Sequence, residues 1–362
     1  MKRTRNIFAG GNTGKGFFSY FGDFVATGTR RAFILKGGPG VGKSTFMKAV
    51  AAPLIEAGKY EVEMFFCSFD PTSLDGLAVP ELGIILIDGT SPHMTDPRYP
   101  GAVEDIINLA DCLNGEALRP KKAQIKASGQ EVSRWFRRAS CYIGAAGKVF
   151  EDLEGLHWDL VDKDSLRNMA YTLEKSIFPS DTLPRQAAGR RRHFFGSAYT
   201  ASGYVEQTAS LLAGYERITY LDGPIGAGRT YLMKFLTDRA TQLGLTFDVY
   251  HTALASDKIQ TVVFPELKAA VTASDLFRNN YHQRFDLEQN MDLNRLAAQK
   301  QEISEGSERF KSLLDKGIQC LAQAKQAHSV LEGIYGPNMD FSQVDRMRDK
   351  VLNEVLQIAN AG

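Results

Sequence analysis

Short apolar runs alternate with longer segments of helical character along this chain, and their order predicts the fold class. Residues 32–35 form an apolar run of strand type, and residues 46–52, which are rich in helix formers, follow it after a glycine-rich loop. A second apolar run, residues 84–87, ends at Asp88. Because strand and helix patterns alternate, we predict an α/β fold with a mostly parallel sheet and flanking helices.

Residues 103–178 have the periodicity of helices. Apolar residues recur there at steps of three, four or seven positions: Ile125, Val132, Phe136, Ile143, Ala146 and Leu153. We predict a long helix that ends at Gly155 and a second helix at about 165–178, together forming a helical hairpin tail attached to the core that precedes it. Packing within the tail is the favoured role of the apolar stripe, and binding of a partner is the alternative.

The loop between the first strand and its helix carries the clearest chemical pattern. It consists of Gly37, Gly38, Pro39, Gly40, Val41, Gly42, Lys43, Ser44 and Thr45, and it fits G-x-x-x-x-G-K-[ST]. Glycines allow positive φ and a close approach of the backbone, so that N–H groups and the helix N-terminus face phosphates. In this pattern Lys43 reaches the β- and γ-phosphates and the Ser44 hydroxyl holds Mg²⁺. At these residues the chain resembles the P-loop NTPase superfamily.

Asp88 completes the predicted site. An apolar strand that ends in an acid, about 45 residues after such a loop, has the Walker B form, and in P-loop NTPases that acid holds Mg²⁺. We therefore predict Lys43 and Asp88 as catalytic residues, Ser44 and Asp88 as metal ligands, and ATP and Mg²⁺ as cofactors. ATP is favoured over GTP because the chain has no Asn-Lys-x-Asp guanine-recognition motif.

The loop pattern recurs 186 residues later, and the resemblance extends beyond it. At the same offset Phe8 and Gly10 match Phe194 and Gly196. At an offset of 178 the apolar stripe matches Ile303, Phe310, Leu314, Leu321, Ala324 and Leu331. We conclude that the chain is a tandem duplication. The predicted units are 1–180, with its tail at 103–178, and 194–362, with a tail at 281–359 whose second helix is at about 343–359. A basic linker at 181–193 joins them.

The second copy departs from the pattern at its chemical positions. Its loop contains Gly223, Gly228, Arg229 and Thr230, with arginine in place of lysine, and the bulkier guanidinium does not replace a compact ammonium. The position of Asp88 is taken by Ala273. We predict a degenerate second site that is structural, regulatory, or the source of Arg229 as an arginine finger.

Several residues near the predicted site have less specific patterns. His93 and Arg98 follow Asp88 in a turn-rich loop and can orient water or substrate, or simply order the loop. Acids expected at the same sheet edge are Asp70, Asp75 and Glu81. The first tail also carries basic residues that suit nucleic acid but more commonly form a solvated face: Arg119, Lys121, Lys122, Lys126, Arg134, Arg137 and Arg138.

Composition narrows the protein class without indicating the substrate. The chain has 362 residues and a net charge of +1, so no global charge draws it to nucleic acid or anionic membrane. Its four cysteines show no C-x-x-C spacing, which favours reduced thiols of a cytoplasmic protein. The sequence contains no run of 18 apolar residues, so it predicts no membrane span.

The arrangement resembles an uncharacterised bacterial family of ATP-binding proteins with two tandem P-loop units. The residues that support this are 8–13, the loop at 37–45, 73–76, 80–82 and 88–93. The resemblance implies an ATPase, and we expect Mg²⁺-dependent binding and hydrolysis of ATP at the first loop. The alternatives are a small-molecule or nucleotide kinase with an unknown acceptor, and a nucleotide-gated module that binds a protein or, less favoured, nucleic acid.

Overall fold

A computed structural model describes residues 4–24, 28–91, 94–179, 185 and 188–361. The strands of the N-terminal half are β1 (Thr4–Ile7), β2 (Gly10–Thr13), β3 (Gly16–Ser19), β4 (Arg31–Lys36), β5 (Val62–Phe66), β6 (Leu74–Val79), β7 (Ile84–Asp88) and β8 (Glu104–Asn108). Those of the C-terminal half are β9 (Arg191–Phe195), β10 (Ser197–Thr200), β11 (Gly203–Glu206), β12 (Arg217–Asp222), β13 (Phe247–His251), β14 (Ile259–Phe264), β15 (Ala269–Thr272) and β16 (Gln283–Asp286).

Ten α-helices accompany these strands in the described part of the chain. They are α1 (Phe21–Phe24), α2 (Lys43–Ala57), α3 (Gly115–Leu118), α4 (Lys122–Trp158), α5 (Lys163–Ile177), α6 (Thr208–Leu212), α7 (Arg229–Gln242), α8 (Leu293–Ala298), α9 (Lys300–Tyr335) and α10 (Phe341–Ala361). Short 3₁₀ helices lie at Pro80–Leu82, Leu109–Cys112, Arg119–Lys121, Pro265–Leu267, Asp275–Phe277, Leu287–Asn290 and Gly336–Asn338. None of the helices described is both long enough and apolar enough to cross a membrane.

Each half contains a six-stranded sheet, and the two sheets have the same strand order. The order is β1-β5-β6-β7-β4-β8 in the first sheet and β9-β13-β14-β15-β12-β16 in the second. Five strands of each sheet point the same way, whereas β6 and β14 run antiparallel to both neighbours. Short connections without an α-helix join β6 to its neighbours, and such connections produce antiparallel pairs. The predicted α/β class is confirmed, and each sheet is mixed.

Three strands lie where the sequence pattern predicts other structure. All six residues of β6 are buried, although its first residues, Leu74, Asp75 and Gly76, end the segment 68–76, whose Ser, Asp, Pro and Gly residues predict a turn. β8 and β16 lie inside the segments 103–178 and 281–359, which were predicted to be helical. Strands of four to six residues are too short for periodicity to identify, so pairing decides their conformation. β6 pairs with β5 and β7, β8 pairs with β4, and β16 pairs with β12.

The predicted hairpin tails are wrong, because the long helix of each half packs against the long helix of the other. Gly317 of α9 faces Ile143 of α4, and Gly306 faces Leu153, so the two helices are antiparallel. The two apolar stripes meet in this interface, where a shared cluster buries Ile143 with Leu321. α4 continues to Trp158, past Gly155, which was predicted to end it, and α9 continues to Tyr335, past Gly333, the glycine at the matching position of the second copy.

The second helix of each tail, whose position was predicted correctly, packs on the core of the opposite half. Leu166 and Leu173 of α5 belong to the same buried cluster as Met233 of α7. Val351 of α10 shares a cluster with Val50 of α2. α4 has 37 residues and is therefore about 55 Å long, so it delivers α5 far from the core that precedes it. The two halves thus exchange their C-terminal helices.

The predicted basic linker overlaps the second sheet. β9 begins at Arg191, and Arg192 is buried with only 6% of its surface exposed. Its guanidinium donates to Glu63 of the first half and to Asp248 of β13. A buried arginine requires such partners, and a sequence rich in arginine and polar residues does not reveal them. Residues 181–184, 186 and 187 of the predicted linker lie outside the described residues.

Reciprocal contacts near the chain starts of both halves relate them by an approximate two-fold axis. Phe8 N donates to Phe195 O at 3.2 Å, and Phe195 N donates to Phe8 O at 2.9 Å. The hairpin that follows is also repeated: Thr13 Oγ1 donates to Gly16 O, as Thr200 Oγ1 donates to Gly203 O. These pairs are 187 residues apart, so the match of Phe8 to Phe194 is one residue out of register.

Candidate functional site

The first glycine loop, residues 37–45, joins β4 to α2 in a conformation that requires glycine. The φ angles of Gly37, Gly40 and Gly42 are 152°, 72° and 90°. A Cβ atom at Gly37 would lie 2.7 Å from Val41 Cγ2, so a larger residue does not fit there. α2 begins at Lys43 without a side-chain cap on its first N–H groups. Uncapped N–H groups at a helix N-terminus favour an anion.

Lys43, Ser44 and Asp88 converge at this loop. Lys43 Nζ donates to the carbonyl oxygens of Gly37 at 2.8 Å and Gly38 at 3.0 Å. It also lies 3.6 Å from Asp88 Oδ2. Asp88 ends β7, which pairs with β4, and this pairing places the carboxylate beside the loop. Ser44 Oγ accepts a hydrogen bond from Leu74 N at 3.0 Å. The Ser44 hydroxyl and Asp88 carboxylate are oxygen donors of the type that Mg²⁺ binds, so these residues fit the predicted ion.

The other residues predicted near the site have different positions. Asp70 and Asp75 line the same cavity as the loop, whereas Glu81 lies between β6 and β7 at the opposite edge of the sheet. Arg98 is exposed and is not among the residues that line the cavity. His93 lies outside the described residues.

The first loop opens into a cavity of about 820 Å³ that both halves enclose. Lining residues from the N-terminal half include Phe17, Phe69, Val132 and Phe136. Those from α9 and α10 of the C-terminal half are Lys325, His328, Leu331, Glu332 and Phe341. A cavity of this volume accommodates a nucleotide-sized molecule, and its apolar side chains suit an aromatic base.

α9 touches the first loop directly. A Cβ atom at Gly40 would lie 3.0 Å from Glu332 Cα and 3.1 Å from Glu332 O, so only glycine allows the helix to pack this closely. One turn earlier on α9, His328 Nδ1 lies 3.5 Å from Glu332 Oε1. Burial lowers the pKa of His328, and the ammonium groups of Lys43 and Lys325 lower it further against the opposing effects of Glu332 and Asp70. Burial and the two ammonium groups therefore favour the neutral form of the His328 imidazole.

Asp70 forms an ion pair with Lys325 across the two halves. Lys325 Nζ donates to Asp70 Oδ1 at 2.8 Å, and the hydroxyl groups of Thr72 and Ser73 donate to the same carboxylate. Burial alone would raise the pKa of Asp70, but these donors outweigh it and lower the pKa. A carboxylate held ionised by several donors is a poor general base, which favours a positioning role for Asp70.

Sequence reasoning missed the contribution of α9 to this site. Lys325, His328 and Glu332 are spaced by three and four residues and therefore share one face of the helix. That spacing is the signal the sequence offers. It does not indicate that the face is directed at a loop almost 300 positions earlier in the chain.

The second glycine loop has the same backbone but different surroundings. The φ angles of Gly223, Gly226 and Gly228 are 150°, 82° and 108°. Arg229 donates from Nη2 to the carbonyl of Gly223, the same carbonyl position that Lys43 uses in the first loop. Burial lowers the pKa of Arg229. The guanidinium therefore lies within its own loop, and Arg229 is not among the residues that line the first cavity.

Side chains and the opposite tail also close the second loop. A Cβ atom at Gly226 would lie 2.4 Å from Glu154 O, and one at Gly228 would lie 2.7 Å from Leu166 Cδ2. Thr230 follows Arg229 at the start of α7, as Ser44 follows Lys43. Tyr220 pairs with Thr272, so the register places Ala273 opposite Leu221, as Asp88 lies opposite Leu35. The position on β15 that corresponds to Asp88 therefore carries no acid.

The four cysteines are free thiols. Cys67 lines the first cavity, where burial and the neighbouring Asp75 raise the pKa of its thiol well above the ordinary value. A protonated thiol is a poor nucleophile, so Cys67 contributes to the cavity wall rather than to nucleophilic chemistry.

Comparison of the chain with protein-family models, with curated proteins and with solved structures gave no match. The site must therefore be interpreted from its own geometry.

Proposed function

We propose that the first glycine loop binds Mg²⁺–ATP and hydrolyses it, and that the chain is a tandem duplication of a P-loop NTPase core whose second loop is degenerate. The observation that carries the proposal is a contrast between two loops of the same backbone conformation. Only the first combines Lys43, Ser44 and Asp88 with a cavity of about 820 Å³. The duplication is supported by the shared strand order of the two sheets.

Each residue has a distinct role in this proposal. The N–H groups of the loop and of the start of α2 bind phosphate oxygens. Lys43 neutralises charge on the β- and γ-phosphates, for which it leaves the carbonyl oxygens of Gly37 and Gly38. Ser44 and Asp88 hold Mg²⁺, which supplies further neutralisation of the developing charge on the transferred phosphoryl group. The apolar walls of the cavity exclude water from the nucleotide.

The second loop serves as a packing element in this proposal. Arg229 occupies its own loop, and Glu154 and Leu166 cover the glycines. An arginine finger must reach the phosphates of another site, whereas the Arg229 guanidinium donates to the carbonyl of Gly223 in its own loop. The roles left to the second loop are structural and regulatory.

The test compares Mg²⁺-dependent ATP binding and hydrolysis in the wild type, Lys43→Ala and Arg229→Ala. We expect Lys43→Ala to abolish hydrolysis and Arg229→Ala to retain it. Loss of hydrolysis in Arg229→Ala with ATP binding intact would favour the arginine-finger hypothesis instead. Equal hydrolysis by Lys43→Ala and the wild type would refute the proposal.

A kinase is the second candidate, because the cavity extends beyond the glycine loop. Beyond the loop, α4 and α9 add Val132, Phe136 and Leu331 to the wall, which leaves room for a small acceptor beside a nucleotide. Hydrolysis that is slow alone but stimulated by one metabolite would support this function over an ATPase.

Salt-sensitive binding of nucleic acid to the exposed basic residues of 119–138 would favour a nucleotide-gated module.

A further inference from the structure

We propose that Lys325, supplied by the C-terminal half, is a second phosphate-binding cation of the first site and that Asp70 holds it in position until nucleotide binds. This inference rests on the proposed function and assigns to the second half a direct part in ligand binding. It makes the nucleotide site composite, so that neither half contains the whole of it.

The contact of α9 with the first loop fixes the position of Lys325. Glu332 packs on Gly40 at backbone distance, and Lys325 lies seven residues earlier on the same face of the helix. Two helical turns are about 10 Å. The Lys325 ammonium crosses this space towards Asp70 Oδ1, 2.8 Å away, and Asp70 lines the same cavity as the loop, so the cation faces an anion that the loop N–H groups hold.

Lys43 and Lys325 belong to different halves but line the same cavity. Both Lys43 and Lys325 lower the pKa of His328, and all three side chains line the cavity. The Lys325 side chain is 35% exposed and its Asp70 partner 24%, so the pair faces the cavity rather than the dry interface. A polyphosphate entering between the two lysines competes with Asp70 for Lys325.

The second loop lacks this arrangement on the helix that covers it. Glu154 packs on Gly226 as Glu332 packs on Gly40, and seven residues before Glu154 the chain has Gly147. Glu154 forms its ion pair with Lys258 of the opposite half instead. Of the two glycine loops, the one that has Lys43 and Asp88 is therefore also the one whose covering helix carries a lysine at this position.

The experiment measures the Kd of Mg²⁺–ATP by calorimetry for the wild type and three variants. Lys325→Ala removes the cation. Asp70→Asn breaks the same ion pair but leaves the cation in place. Lys316→Ala is the matched control, because Lys316 is an exposed lysine of the same helix outside this cavity.

We expect Lys325→Ala to weaken ATP binding at least about tenfold, since a hydrogen bond to a charged group is lost. Asp70→Asn should bind ATP as tightly as the wild type or more tightly, and Lys316→Ala should match the wild type. Equal weakening by Lys325→Ala and Asp70→Asn would overturn the inference, because the ion pair would then be only a brace between the halves. Unchanged binding by Lys325→Ala would overturn it while leaving the proposed function intact. A wild type that binds no ATP would refute both.

Discussion

The buried charge cluster between the two sheets allows a prediction of stability that does not depend on the proposed function. Arg192 donates four hydrogen bonds of 2.7–2.8 Å, two to Glu63 and two to Asp248. Arg5 adds a bond of 2.9 Å to Asp248 but lies 3.9 Å from Glu63. The four side chains are between 1% and 7% exposed. These four buried side chains carry two positive and two negative charges, and Arg5 also pairs with the less buried Glu61 at 2.9 Å.

Replacing Arg192 with Met leaves the cluster with an unbalanced negative charge. Asp248 retains Arg5, but Glu63 loses both of its short bonds. Removing one partner of a buried ion pair costs about 3–5 kcal/mol, and we expect the free energy of unfolding to fall by that amount. Urea denaturation followed by circular dichroism at pH 7 measures the change.

Two comparisons separate charge imbalance from altered packing. Arg309→Met breaks an exposed ion pair with Glu305 on α9 and should leave the free energy of unfolding almost unchanged. The double variant Arg192→Met with Glu63→Met removes one charge of each sign, so it should be more stable than Arg192→Met alone. If the two substitutions in the double variant simply add their costs, charge imbalance does not explain the loss.

The cluster also predicts how stability depends on pH. Burial opposes ionisation of Asp248, but Arg192 and Arg5 outweigh it and lower its pKa from 3.8 to about 2. The pKa of Glu63 is likewise lowered from 4.5, despite its burial, chiefly by Arg192. Groups whose pKa is lower in the folded state stabilise it fully above their ordinary pKa values. The wild type should therefore lose stability as the pH falls from about 4.5 towards 2, and Arg192→Met should show a shallower loss across that interval.

Two further predictions compare glycines that differ in their surroundings. Gly317→Ala should destabilise the protein by about 1–3 kcal/mol, because its Cβ atom would lie 2.6 Å from Ile143 Cγ1. A Cβ atom at Gly129 on α4 meets nothing within 4 Å, so Gly129→Ala should stabilise the protein by about 0.5–1 kcal/mol. Changes of the same sign in urea denaturation would contradict this interpretation of the α4–α9 interface. Gly226→Ala should lower the thermal midpoint of unfolding much more than Gly101→Ala. Both glycines have positive φ, 82° and 75°, but of the two only Gly226 would bring a Cβ atom to a backbone atom, Glu154 O, at 2.4 Å. Equal shifts in calorimetry would show that φ alone sets the cost.

Local patterns alone predicted the glycine loops, the α/β class and the positions of α5 and α10. Each of these depends on a few neighbouring residues: glycines that allow positive φ at 37, 40 and 42, or apolar residues repeated at helical spacing. The placement of Asp88 near the loop also follows from a local pattern, since an acid at the end of a parallel strand lies at the edge where the loop begins.

Tertiary structure decided which faces meet. The apolar stripes of α4 and α9 are equally suited to either partner by sequence, and packing across the halves selected the exchange of tails. That exchange brings Lys325 and His328 to the loop at 37–45 and covers the second loop with Glu154 and Leu166. Packing of the two sheets against each other likewise makes Arg192, in a segment that looks like a linker, a buried ion-pair partner of Glu63 and Asp248. Contacts between residues more than a hundred positions apart depend on the packing of complete surfaces, which no local pattern encodes.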